Sequence, residues 1–127
     1  MEKKRILVDT DILIKLYRGN EQIRNNLKPI EERLSISVIT AMELLQGVQN
    51  DAQFFQMRKT IHAYALLHIE KTVSELAFNL MNKYGKSKRV KLADQLIAAT
   101  AIYNHVPLYT DNVNDYDFIS ELELYKP

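Results

Sequence analysis

The chain has 127 residues, 46% hydrophobic and 26% charged, with a formal net charge of +1 and no cysteine. This length and composition belong to a single folded domain, residues 1–127, with a full hydrophobic core, and they exclude a disordered polymer. Near-neutral charge excludes a polycation, so affinity for nucleic acid has to come from a local patch, and the missing cysteines exclude disulfides, thiolate catalysis and cysteine-based zinc sites.

The start, "MEKKRILVDTD", has the basic beginning of a signal peptide, but its apolar run stops at Asp9. No apolar stretch approaches the roughly 18 residues of a membrane span. A soluble cytoplasmic protein is therefore expected. Ile6 to Val8 reads as a buried strand, and "TDILIKLYRGN" as a helix closed by Gly19. "EQIRNNLKP" is a second amphipathic segment that stops at Pro29. "RLSISV" alternates apolar and polar residues as a strand does, "ITAMELLQGV" is helical, and "AQFFQMRKTIHAY" continues the helical pattern. "ALLHI" is a short strand. "EKTVSELAFNLMNKYG" places Val73, Leu76, Ala77, Leu80 and Met81 on one helix face, and a polar link follows. "LADQLIAATAIYNH" is a helix apolar on nearly every side, "VPLYT" a further strand, and "LELYK" an edge-strand candidate. Strands alternating with helices predict an α/β, three-layer fold, with a parallel sheet of about four or five strands between helices.

In such a sheet the strand ends share one edge, where ligands bind. Asp9 follows the first strand, Glu43 lies in the first helical turn after the second, and Asp111, Asn112 and Asp115 follow "VPLYT". Asp94 opens the apolar helix and faces inward with Ile97, Ala98 and Ala101. Each has an ordinary structural explanation. Asp9 or Thr10 caps a helix, Thr40 and Glu43 have capping-box spacing, Asp94 suits a helix dipole, and Asp111 and Asn112 suit a turn. Taken together, converging carboxylates repel one another and call for a cation. With only His62, His68 and His105 as scattered histidines, that cation is expected to be Mg²⁺ or Mn²⁺, held through oxygen and suited to phosphoryl chemistry.

"ILVDTDILI", "ISVITAMELLQG", "KLADQLIAATA" and "PLYTDNVNDYDFI" resemble, in order and spacing, the motifs of PIN-domain ribonucleases, especially the toxins of VapBC toxin-antitoxin pairs. The resemblance implies a PIN fold, a Mg²⁺- or Mn²⁺-dependent endoribonuclease that leaves 5′-phosphate and 3′-hydroxyl ends, a homodimer, and an antitoxin encoded nearby. Carried over by motif, Asp9, Glu43 and Asp94 take the three acidic positions. Asp9 and Asp94 become metal ligands, and Glu43 binds the metal through water or orients the attacking water. Asp111 or Asp115 is the outer acidic member, as metal ligand or catalytic group, and Asn112 hydrogen-bonds. Asn112 at the T-x-[DN] position weakens a second metal site.

"NKYGKSKRVK" puts Lys83, Lys86, Lys88, Arg89 and Lys91 together without an acid, just before the Asp94 helix. Lys86, Lys88, Arg89 and Lys91, with Thr10 and Asn112, are the candidate substrate-binding residues, the cations giving salt-sensitive phosphate contacts or simply staying hydrated. Lys15 and Arg18 are further candidates, and Tyr84 is either a stacking platform or packing. "FFQM" is core or an interaction groove. Two alternatives compete. A haloacid-dehalogenase-like phosphatase also starts with a strand ending in D-x-D, but that family has Thr where Leu13 stands. A catalytically silent binding module of the same fold would fit Asn112.

Overall fold

The computed structural model describes residues 4–127. Four strands, β1 (Ile6–Val8), β2 (Leu34–Ser37), β3 (Ala65–Leu67) and β4 (Leu108–Tyr109), form one sheet in the order β3-β2-β1-β4. All pairings are parallel, with Leu7 opposite both Ser35 and Leu108. Six helices flank the sheet: α1 (Thr10–Tyr17), α2 (Glu21–Leu27), α3 (Val38–Gln46), α4 (Asp51–Ile61), α5 (Lys71–Lys88) and α6 (Leu92–Tyr103).

The central strand divides the core. Side chains alternate across a strand, so Ile6 and Val8 join one cluster with Ile12, Leu13, Ile23, Leu27 and Leu44, under α1 to α4. Leu7 joins the other, with Val73, Leu80, Ile97 and Ala98 of α5 and α6. Sheet and two helical layers follow directly. Both faces are covered, which explains why the alternation in β2 has no solvent side. Ser35 is buried and its hydroxyl donates to the Ile6 carbonyl at 3.0 Å, while buried Ser37 caps α3.

Several boundaries differ from the sequence expectation, each for a local reason. The second segment does stop short of Pro29, as α2 ends at Leu27, but the chain then continues into a 3₁₀ turn, Lys28–Arg33, where the fixed φ of Pro29 is tolerated. The long helical pattern after β2 is two helices, because Asn50 starts a new one by accepting from the Gln53 N–H at 2.9 Å. Gly85 does not stop α5. The helix runs on to Lys88, and the left-handed end residue is Arg89, with φ of 52°. "LELYK" forms only an isolated parallel bridge, Leu108 to Leu124. Gly19 does close the first helix, at φ 88°. Among the described residues no helix is long and apolar enough to cross a membrane.

Candidate metal centre

The strand order places the site. From β1 the chain builds outward to β2 and β3, then returns to the other side of β1 as β4, so the crevice between β1 and β4 is where the order reverses. Asp9 leaves β1 and Thr110 leaves β4 at that crevice, and the Asp9 N–H donates to the Tyr109 carbonyl at 2.9 Å. Asp9 is 4% exposed and caps α1, its Oδ1 accepting from the Thr10 N–H at 2.8 Å. Its Oδ2 accepts from the Thr110 hydroxyl at 2.8 Å. The capping reading is therefore correct but incomplete, since one carboxylate caps the helix and also faces the pocket.

Asp94 stands half-buried in the first turn of α6 and accepts from the Tyr116 hydroxyl at 3.2 Å. The same hydroxyl bears on Asp9. Glu43 is not in a first turn. Ser37 is the N-cap of α3, so the proposed Thr40–Glu43 box does not form, and the Glu43 carboxylate turns instead to α1, accepting from the Thr10 hydroxyl at 2.7 Å. Thr40 completes this link, its hydroxyl 3.0 Å from that of Thr10.

The segment after β4 divides the remaining acids. Asp111 is exposed and pairs with Lys15 at 2.7 Å. Its N–H donates to Asp11 Oδ2 at 3.0 Å, and Ile12 N–H donates to Asp11 Oδ1 at 2.9 Å, so Asp11 ties α1 to the segment after β4. Exposed Asn112 donates its backbone N–H to the Thr110 hydroxyl at 3.0 Å. Asp115 lies in a 3₁₀ turn, Val113–Asp115, and its charge bears on Asp94.

Electrostatically the pocket is under load. Burial, then the charges of Asp11 and Asp94, push the Asp9 carboxyl up to about 7, against the pull of its bonds from Thr110 and Thr10. Burial raises Asp94 as well, helped by Asp115 and Glu43, while the Tyr116 bond and Lys91 lower it. Asp11 is raised by burial. The donor set fits an oxygen-seeking divalent ion: carboxylates with excess negative charge, flanked by hydroxyls, and no sulfur or imidazole. His62, His68 and His105 are exposed, and His105 lines a separate cavity of about 380 Å³ with Lys4 and Glu121 at the opposite edge of the sheet. Among the described residues no three acidic or histidine side chains close around one point. The fit is to an ion that keeps several waters, as Mg²⁺ does, rather than to one caged by protein.

The basic candidates cluster at the end of α5 and in the link to α6. Lys86 and Lys88 are exposed on the last turn of α5, with Arg89 and Lys91 exposed in the link to α6. Lys83 pairs with Glu121 at 3.7 Å. Tyr84 packs edge-on to Phe118, ring centres 5.0 Å apart, which makes it packing. Phe54 and Phe55 are exposed on α4, while Met57 packs partly against the core. Sequence reasoning missed Tyr116 and the linking roles of Asp11 and Thr40. A tyrosine between two aspartates in "NDYDF" was the available signal.

A PIN domain family model matches residues 6–119. Ribonuclease VapC10 of Mycobacterium tuberculosis is 31% identical over 121 residues, spanning 93% of this chain and 90% of that protein. Ribonuclease VapC1 of Methanocaldococcus jannaschii is 26% identical over 125 residues, spanning 97% and 87%. Among solved structures, a toxin-antitoxin complex from Klebsiella pneumoniae contains a chain with a TM-score of 0.80 and 28% identity, covering 96% of this chain and 99% of that one.

Proposed function

This chain belongs to the PIN domain family, and from that premise we propose that its acidic pocket is a Mg²⁺ or Mn²⁺ site that hydrolyses phosphodiesters in single-stranded or looped RNA. The observation that supports this most directly is the bond at 3.2 Å from the buried Tyr116 hydroxyl to Asp94 of α6, with Asp9, from the end of β1, close enough for its charge to bear on both groups. Asp9 and Asp94 would hold the ion, with Glu43 reached through water. When bound, such an ion neutralises charge on a phosphate and acidifies a water molecule. Glu43, aimed by the Thr10 hydroxyl, orients the attacking water and takes its proton. Asp115 is the outer acid beside Asp94, because Asp111 is engaged by Lys15. Lys86, Lys88, Arg89 and Lys91 hold RNA phosphates, Lys91 nearest the acids.

The chain is further read as the cytoplasmic toxin of a toxin-antitoxin pair and as a homodimer. A groove of about 650 Å³ between α1, α3 and α4, lined by Ile14, Tyr17, Arg18, Leu44 and Met57, opens beside Glu43 and is the place for an antitoxin segment. Purified protein with single-stranded RNA and Mn²⁺ is expected to give fragments with 5′-phosphate and 3′-hydroxyl ends, lost with chelator and with Asp94→Asn. Cleavage that survives the chelator would sink the metal reading. Intact RNA in every arm, with antitoxin binding retained, would leave a silent binding module.

A further inference from the structure

Tyr116 is 0% exposed, and its ring packs with Leu7, Ile97, Ala98 and Ile119 between the sheet and α6. A phenylalanine would fill that space equally well. A hydroxyl buried among apolar groups is unfavourable unless it is hydrogen-bonded, and here it donates to Asp94 at 3.2 Å, with the charge of Asp9 bearing on it as well. The acids differ in their other support. Asp9 receives a backbone N–H on one oxygen and the Thr110 hydroxyl on the other. Asp94, among the described residues, receives a hydrogen bond from Tyr116 alone. Its direction therefore depends on that one donor, which stays protonated throughout the neutral range.

We propose that the Tyr116 hydroxyl is a positioning donor for the acidic pair: it sets the Asp94 carboxylate against Asp9 before a cation arrives and so raises the affinity of the pocket for a divalent ion. This rests on the reading of the pocket as a cation site. Donors to metal-holding carboxylates, when removed, weaken metal binding by about 10- to 100-fold, whereas a hydroxyl that only fills space does not move it.

The test is calorimetric titration of the full chain, without RNA, with MnCl₂. Wild type is compared with Tyr116→Phe and with Tyr109→Phe, a second buried tyrosine, 3.0 Å from Asn26 through its hydroxyl. Tyr116→Phe is expected to bind Mn²⁺ about 10-fold more weakly or worse, with Tyr109→Phe unchanged. In RNA cleavage the Mn²⁺ concentration for half-maximal rate should rise in parallel. Mn²⁺ affinity of Tyr116→Phe within about twofold of Tyr109→Phe overturns the proposal and leaves the cation site standing. Wild type that takes up no Mn²⁺ removes both. A second substitution, Tyr116→3-fluorotyrosine, keeps the ring and strengthens the donor; it is expected to tighten Mn²⁺ binding, and unchanged binding counts against the proposal even where Tyr116→Phe does not fold.

Discussion

Asp9 holds an N-cap and a place in the pocket at once, and the second role costs stability. An aspartate in the unfolded chain titrates near 3.8, whereas folded Asp9, without a cation, titrates at about 7. Well below pH 3.8 both states are protonated and Asp9 makes no difference. As pH rises from 4 to 7 the unfolded chain releases the proton and the folded chain keeps it, so stability falls, by on the order of a few kcal/mol above pH 7. Asp11 and Asp94, raised by burial too, act in the same sense. The chelated protein is therefore expected to melt at a higher temperature at pH 5.5 than at pH 7.5, and Mn²⁺ to raise the midpoint more at pH 7.5. Melting scans at the two pH values, with chelator and with Mn²⁺, measure this. Asp9→Asn keeps a capping side chain and removes the charge. Its chelated midpoint at pH 7.5 should exceed that of wild type while RNA cleavage is lost, the trade between stability and activity expected of a working site.

At the scale of elements, the proposed RNA contacts depend most on the extension of α5 past Gly85. Helical backbone carries Lys86 and Lys88 on a rigid turn, and the left-handed Arg89 then turns the chain into α6, setting Lys91 close to Asp94. Cations held on that turn should contribute to RNA affinity through counterion release. Replacing Lys86, Lys88 and Arg89 together by Ala is expected to lower the slope of log affinity against log salt by about 2, at roughly 0.7 for each phosphate contact on single-stranded RNA. Filter binding between 50 and 200 mM salt, as rough bounds, in an Asp94→Asn background that leaves the RNA intact, gives the slope. An unchanged slope would return these residues to a hydrated surface. The helix extension was hidden in the sequence because glycine is the usual stop signal, and here Gly85 lies inside a helix with Met81 packed over it.

For the whole molecule, the groove between α1, α3 and α4 shares Glu43 with the acidic pocket, so an occupant of the groove and an RNA at the acids are close neighbours. Ile14, which lines it, is 36% exposed. Ile14→Glu is expected to abolish binding of the proposed antitoxin partner and to spare RNA cleavage, as pull-down and cleavage assays on the same preparations would report. Loss of both activities would mean that the substitution had disturbed α1 rather than the groove.

The amino-acid sequence by itself determined the layers and the acidic residues. Period-two and helical patterns are local, turn and cap residues act within a few positions, and a carboxylate directly after an apolar run, as at Asp9, or at the opening of an apolar helix, as at Asp94, is conspicuous wherever it falls. Tertiary structure alone decided how those acids are held. Only the return of the chain to set β4 beside β1 brings Thr110 to Asp9 and Lys15 to Asp111, and only the packing of α1 against α3 brings Thr10 to Glu43. Tyr116 was illegible for the same reason. An aromatic residue reads as packing until the fold shows which polar atoms its hydroxyl meets, because hydrogen bonds between segments far apart in sequence leave no periodic trace along it.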